Sequence, residues 1–282
     1  MGAVPPLRAI FGMLAIGALT VGVAVPASAA PEAVASSVAA TSATPSRTDA
    51  ASRTDAASGT GAASRTNAAS GTGAARAKLA LPWLRTSVEQ VLRAERARAG
   101  LTGTDIPGTA SGRLVVVAGS VDAPRPAARV MSVRVEVEDG LPVDGAAFAD
   151  FALAVLNDER GWGHDGSVAF ARTDGAADLR VVLASGALTD ALCYPLRTLG
   201  EVSCGTAGRA VLNAERWSQG AEAFLTAGGT LTAYRQYLVN HEVGHLLGRP
   251  HQACPTAGAS APVMVQQTLD LQGCLPNGWP AR

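Results

Sequence analysis

The chain has 282 residues, with 23 basic and 23 acidic side chains and a formal charge of zero. With no basic cluster, nothing in it points to nucleic acid as a partner. It has four cysteines and four histidines, and three of those histidines fall within eleven residues.

The N-terminus carries Arg8, an apolar stretch from about Ala9 to Val25, then Pro26-Ala27-Ser28-Ala29-Ala30. That is the order of a secretory signal, with cleavage after Ala29 or Ala30 and an exported mature protein, secreted or at the cell surface. The apolar stretch is near the lower length limit for a spanning helix, so an uncleaved anchor is the alternative. No other segment is apolar and long enough to be expected in a membrane. Residues 31–78 offer almost nothing that could form a core. From Ser46 to Ala75 a six-residue unit repeats five times, as Ser-Arg-Thr-Asp-Ala-Ala and variants with Gly or Asn. A β-helix needs a large aliphatic residue in each coil, and these units have none. A flexible, disordered linker is expected.

From Leu79 the composition becomes that of a folded domain of about 200 residues, enough for one core. A helix is expected to open at Ser87, where Ser-Val-Glu-Gln matches a capping box, and to end at Gly100. Arg113–Ala118 reads as a strand. Val133–Glu138 alternates strictly, which predicts a strand with one wet face. Asp144–Glu159 predicts a helix with Phe148, Phe151, Ala152 and Val155 in one stripe. Strands follow near Ser167–Ala171, Leu179–Ala184 and Arg209–Leu212. The next helix begins near Thr230, with Tyr234 and Tyr237 on its histidine side and Val239, Val243 and Leu246 turned away. This order fits an α+β fold with a mixed twisted sheet.

Residues 241–251 read His-Glu-Val-Gly-His-Leu-Leu-Gly-Arg-Pro-His. On a helix, His241 and His245 stand one turn apart on one face and can share a cation. Glu242 lies about 100° round the helix, placed to take a proton from a metal-activated water without ligating. Gly248 can adopt the left-handed conformation that ends the helix, and Pro250 cannot continue it. The chain turns back and brings His251 to the same ion. Three protein nitrogens leave one position open for water, as in catalytic zinc sites. His164, in a Gly-rich loop, is given no role.

The pattern resembles the metzincin clan of zinc endopeptidases, whose signature is H-E-x-x-H-x-x-G-x-x-H followed by a methionine turn. Ala261-Pro262-Val263-Met264 matches such a turn, thirteen residues beyond His251. The resemblance implies one Zn2+ held by His241, His245 and His251, Glu242 as general base, Gly248 at the helix end, and Met264 as an apolar floor. It also implies an α+β zincin fold with an active-site helix. Some metzincins place a tyrosine just beyond the methionine, whereas Val265, Gln266 and Gln267 stand here. The stretch from about 110 to 282 is also similar to a family of secreted actinobacterial proteins known mainly as a domain of unknown function. It shares Leu238-Val239-Asn240 with the histidine motif, the Ala261–Gln267 run, Gly273-Cys274 and Pro276-Asn277.

Cys193, Cys204, Cys254 and Cys274 form an even set, which in an exported protein favours disulfides with three connectivities. Cys193–Cys204 and Cys254–Cys274 are preferred because each closes a local loop, the second around Met264. The rival reading makes Cys254 a fourth zinc ligand, which would close the site to water. The expected activity is hydrolysis of a peptide or protein substrate by a monomer, with the strand near Arg209–Leu212 as the sheet edge that pairs with it. A cell-wall peptide amide, or a zinc-binding module without catalysis, are the alternatives.

Overall fold

A computed structural model describes residues 71–281, with side chains from residue 85 onward. The expected signal at 1–30 and the repeats up to residue 70 lie outside the described residues. The first helix, α1, spans Gly71–Arg98 and ends where Gly100 takes a positive φ. It is therefore well under way at Ser87, and residues 71–78, expected as linker, belong to it. Ala74, Ala75, Ala77, Leu79 and Ala80 are strong helix formers, and that propensity carries the helix through the capping-box sequence.

The sheet has six strands: β1 (Leu114–Val116), β2 (Arg129–Glu138), β3 (Val168–Arg172), β4 (Leu179–Ala184), β5 (Cys204–Thr206) and β6 (Arg209–Asn213). Their order is β1-β2-β4-β6-β5, with β3 also on β2. β2 pairs in parallel with β3 along its first half and antiparallel with β1 along its second, while β4 takes the other edge. β4 and β6 are parallel, and β5 folds back antiparallel on β6. This open mixed sheet with several helices is an α+β arrangement.

The alternation in β2 sorts side chains as expected, but its second face is not wet. Val133, Val135 and Val137 enter the main core, while Glu136 and Glu138 on the opposite face are only 3% and 1% exposed. A helix, α3 (Gly186–Cys193), packs across β4–β6 on that side, over Val182, Ala184 and Val211. Glu138 is tolerated there because both its carboxylate oxygens are partnered, and Glu136 because its Oε1 is ion-paired, while its buried Oε2 has no hydrogen-bond partner. Glu138 accepts from the amides of Gly112 and Ser185 at 2.8 and 2.7 Å. Glu136 pairs with Arg134 at 2.6 Å.

The other face carries the larger core. Helix α2 (Gly145–Leu156) is capped by Asp144, whose carboxylate accepts from the amides of Ala146 and Ala147. Its Phe148 and Phe151 meet Trp217 edge-on at 5.1 and 5.2 Å. Trp217 lies on α4 (Ala214–Gln219), which is followed by the short α5 (Glu222–Thr226). The last helix, α6 (Leu231–Leu246), starts at an N-cap formed by the Thr230 side chain, which accepts from Ala233 N–H. It packs across β5 and β6 and is buried from Tyr234 to Gly244 except at Gln236.

One expectation needs correcting. β6, at Arg209–Asn213, lies between β4 and β5 and is not the sheet edge. The edge is β5, three residues whose shortness leaves no periodic signal to read.

Candidate metal centre

The three motif histidines converge. His241 and His245 stand one turn apart on α6, and their ring centroids are 4.9 Å apart. Leu247 caps the helix, and Gly248, at φ 77°, reverses the chain. The Gly248 and Arg249 amides bond back to the carbonyls of His245 and Gly244, a Schellman closure. The reversal delivers His251, whose Nε2 lies 3.1 Å from His245 Nε2. The next residue, Gln252, is pinned by its N–H to the Met264 carbonyl at 3.0 Å.

The second nitrogens are already committed. His241 Nδ1 bonds the Val263 carbonyl at 2.9 Å and His245 Nδ1 the Arg249 carbonyl at 3.0 Å. A carbonyl only accepts, so both Nδ1 atoms carry the proton and each Nε2 keeps its lone pair. Burial is the main cause that lowers all three histidine pKa values, His241 to about 3, with neighbouring imidazoles adding to it for His241 and His251. The rings are neutral near pH 7, the state in which a histidine ligates.

The donor set fits a metal ion. One ligand nitrogen from each of His241, His245 and His251 lies within 4.8 Å of the others, forming a group able to hold a cation. Two nitrogens about 2.1 Å from a tetrahedral ion stand about 3.4 Å apart, near the separation of His245 from His251. Cys254 is bonded to Cys274, and Cys193 to Cys204, as the loop argument expected, so Cys254 is not a fourth ligand. His164 lies outside the group and bonds the Gly161 carbonyl.

Glu242 is almost fully buried, and loss of hydration pushes its carboxyl up to about 8. A cation beside it would favour the ionised form and draw that value down. Met264 is buried and packs against α6 at Gly244, where an added Cβ would come within 2.5 Å of its sulfur. Trp162 closes on the same glycine and donates to the Asn240 carbonyl at 2.9 Å. Sequence patterns single out neither Gly244 nor Trp162 for a role at the site. The one signal is the glycine itself, standing between the two helix histidines where something approaches closely.

A cleft of about 420 Å³ opens over the three histidines and Glu242. The loop between α3 and β5 forms one wall and residues 266–269 form another. The β5 edge is set unusually close to α6. A Cβ on Gly205 would sit 2.3 Å from the Glu242 carbonyl oxygen. Ala207 and Gly208 both have positive φ, as in a two-residue hairpin turn. Thr206 and Arg209 are then a hydrogen-bonded pair, and Gly205, opposite Ala210, turns its own N–H and C=O to the free edge.

An α+β protein with a three-histidine cleft beside an antiparallel sheet edge is the class that fold and site define. Residues 101–274 match the model of a family described as Protein of unknown function (DUF3152), and the chain belongs to that family. No curated protein and no solved structure matches it. The two disulfides fit an oxidising compartment. No helix among the described residues is long and apolar enough to cross a membrane.

Proposed function

We propose that this chain is an exported zinc-dependent peptidase of metzincin type. The observation that carries the reading is the site itself. Three neutral imidazoles bring one ring nitrogen each to one point, with the Nδ1 atoms of His241 and His245 bonded to carbonyls, beside a buried carboxylate without a ligand role. A purely structural zinc site has no need of that carboxylate and is ordinarily closed by a fourth protein ligand. The segment at Met264, the antiparallel edge strand β5 and the mixed sheet agree with the resemblance. Export is supported by the N-terminal pattern and the disulfides.

His241, His245 and His251 would hold the ion. When bound, it polarises the scissile carbonyl and lowers the pKa of a water to about 7. Glu242 accepts the proton of the attacking water and passes it to the departing amine nitrogen. Its desolvated surroundings keep the carboxylate basic enough for that task. An extended peptide laid along β5 would pair with the outward N–H and C=O of Gly205, which holds the main chain without reading its side chains.

The test is Glu242→Gln in the full chain. Zinc content, by elemental analysis, should be unchanged, while peptide hydrolysis falls by about 10²–10⁴. Equal hydrolysis by the variant removes Glu242 as the base. A zinc-loaded wild type that cleaves nothing in a diverse peptide library and in cell-wall fragments overturns the peptidase reading.

A further inference from the structure

The cleft walls say what kind of side chain belongs beside the histidines. Leu196 and Leu269 both line the cleft, one from each wall, and are 52% and 60% exposed. Isolated exposed leucines are ordinary, but two that flank one reactive group are not scattered surface.

Both are held there by rigid backbone. The loop carrying Leu196 is closed by the Cys193–Cys204 bond, and the Asp190 carboxylate accepts from the Thr198 hydroxyl and from Gly200 N–H at 2.7 Å. Asn213 donates to the Gly200 carbonyl, also at 2.7 Å, and Arg216 to that of Glu201. On the other wall, the amides of Leu269 and Asp270 both bond the Gln266 carbonyl, and Thr268 pairs with the Tyr234 hydroxyl at 2.9 Å. These bonds fix the backbone on which each leucine stands. Val202 and the buried Tyr237 add apolar surface to the same cleft, whose lining also includes Arg197, Ser203 and Thr268.

We propose that the cleft selects peptides carrying a bulky aliphatic side chain next to the scissile bond, seated between Leu196 and Leu269. This rests on the peptidase reading for where the bond is cut. The occupant is a peptide because the apolar slot is continuous with the free edge at Gly205, which offers one main-chain donor and one acceptor. A polar cell-wall crosslink would set polar groups against both leucines in place of apolar surface.

Two measurements on the zinc-loaded full chain separate the inference from the reading beneath it. First, isothermal titration of Glu242→Gln with capped peptides that differ at one position should favour Leu over Asp or Lys. The preference should be roughly tenfold to a hundredfold, the scale for burying one aliphatic side chain. Leu196→Ser and Leu269→Ser, introduced beside Glu242→Gln, should each reduce it severalfold, with circular dichroism confirming that the fold is kept. Second, library profiling of wild-type cleavage should show the same preference beside the cut, expressed mainly in KM. Leucine-selective binding without cleavage keeps the slot and overturns the peptidase reading. Cleavage or binding without that preference, or a preference that both serine variants retain, overturns the slot.

Discussion

Gly205→Ala tests the closest contact in the site. The added Cβ would fall 2.3 Å from the Glu242 carbonyl oxygen and 2.7 Å from His245 Cβ. Ordinary contact begins at 3.4 Å, so β5 must retreat from α6 by about 1.1 Å or the helix must yield. Neither obstacle is the free end of a flexible side chain, and overpacking of this kind costs about 1–3 kcal/mol. For a domain of this size each kcal/mol moves Tm by about 2–4 °C, which puts the fall at roughly 2–12 °C. Hydrolysis should suffer more than stability, because a displacement of about 1 Å between substrate and catalytic group can cost on the order of 10²-fold. Thermal unfolding by circular dichroism and kcat/KM on a cleaved peptide read the two effects. Gly108→Ala is the control, since a Cβ there meets nothing within 4 Å. A Gly205→Ala protein with wild-type Tm would refute the packing of β5 on α6.

If the proposed site holds one zinc, His251→Ala should lose it at a free metal concentration that loads wild type, and retention of one equivalent would exclude His251 as a ligand. Removing Cys254 and Cys274 together opens a loop spanning 20 residues, and the urea midpoint should fall by the equivalent of about 3 kcal/mol. Zinc affinity should fall with it, because Val263 and Met264 lie inside that loop; an unchanged midpoint would contradict the account. Hydrogen bonds from Thr198 and Gly200 hold the Asp190 carboxyl below its ordinary 3.8. A depressed carboxylate stabilises the fold above its unfolded value and loses that contribution as pH falls through the folded one. The stability advantage of wild type over Asp190→Asn should therefore be full near pH 7 and shrink below pH about 4. An advantage that grows on acidification would show the reasoning to be wrong.

Much of the fold and the site is legible in the sequence because it depends on near neighbours in the chain. The caps at Asp144 and Thr230, the apolar run of β4, and the one-turn spacing of His241 and His245 are local patterns. The reversal at Gly248 is equally local, and so are the short loops closed by the two disulfides. Helical geometry and chain connectivity alone bring those groups together, so the spacing of the motif suffices to name all three candidate ligands.

What the tertiary structure decides are the contacts between segments far apart in sequence. Whether Glu136 and Glu138 meet water depends on α3 and on the amides of Gly112 and Ser185, which no pattern in β2 encodes. Which strand is the edge depends on pairing order, and β5 is too short to show an alternation of its own. Gly205 against Glu242, and Gly244 against Met264 and Trp162, are glycines whose necessity appears only when another element arrives. Leu196 and Leu269 are 73 residues apart, and only the folded chain makes them the two walls of one cleft. Periodicity tells a side chain which face of its own element it occupies; the rest of the chain determines what covers that face.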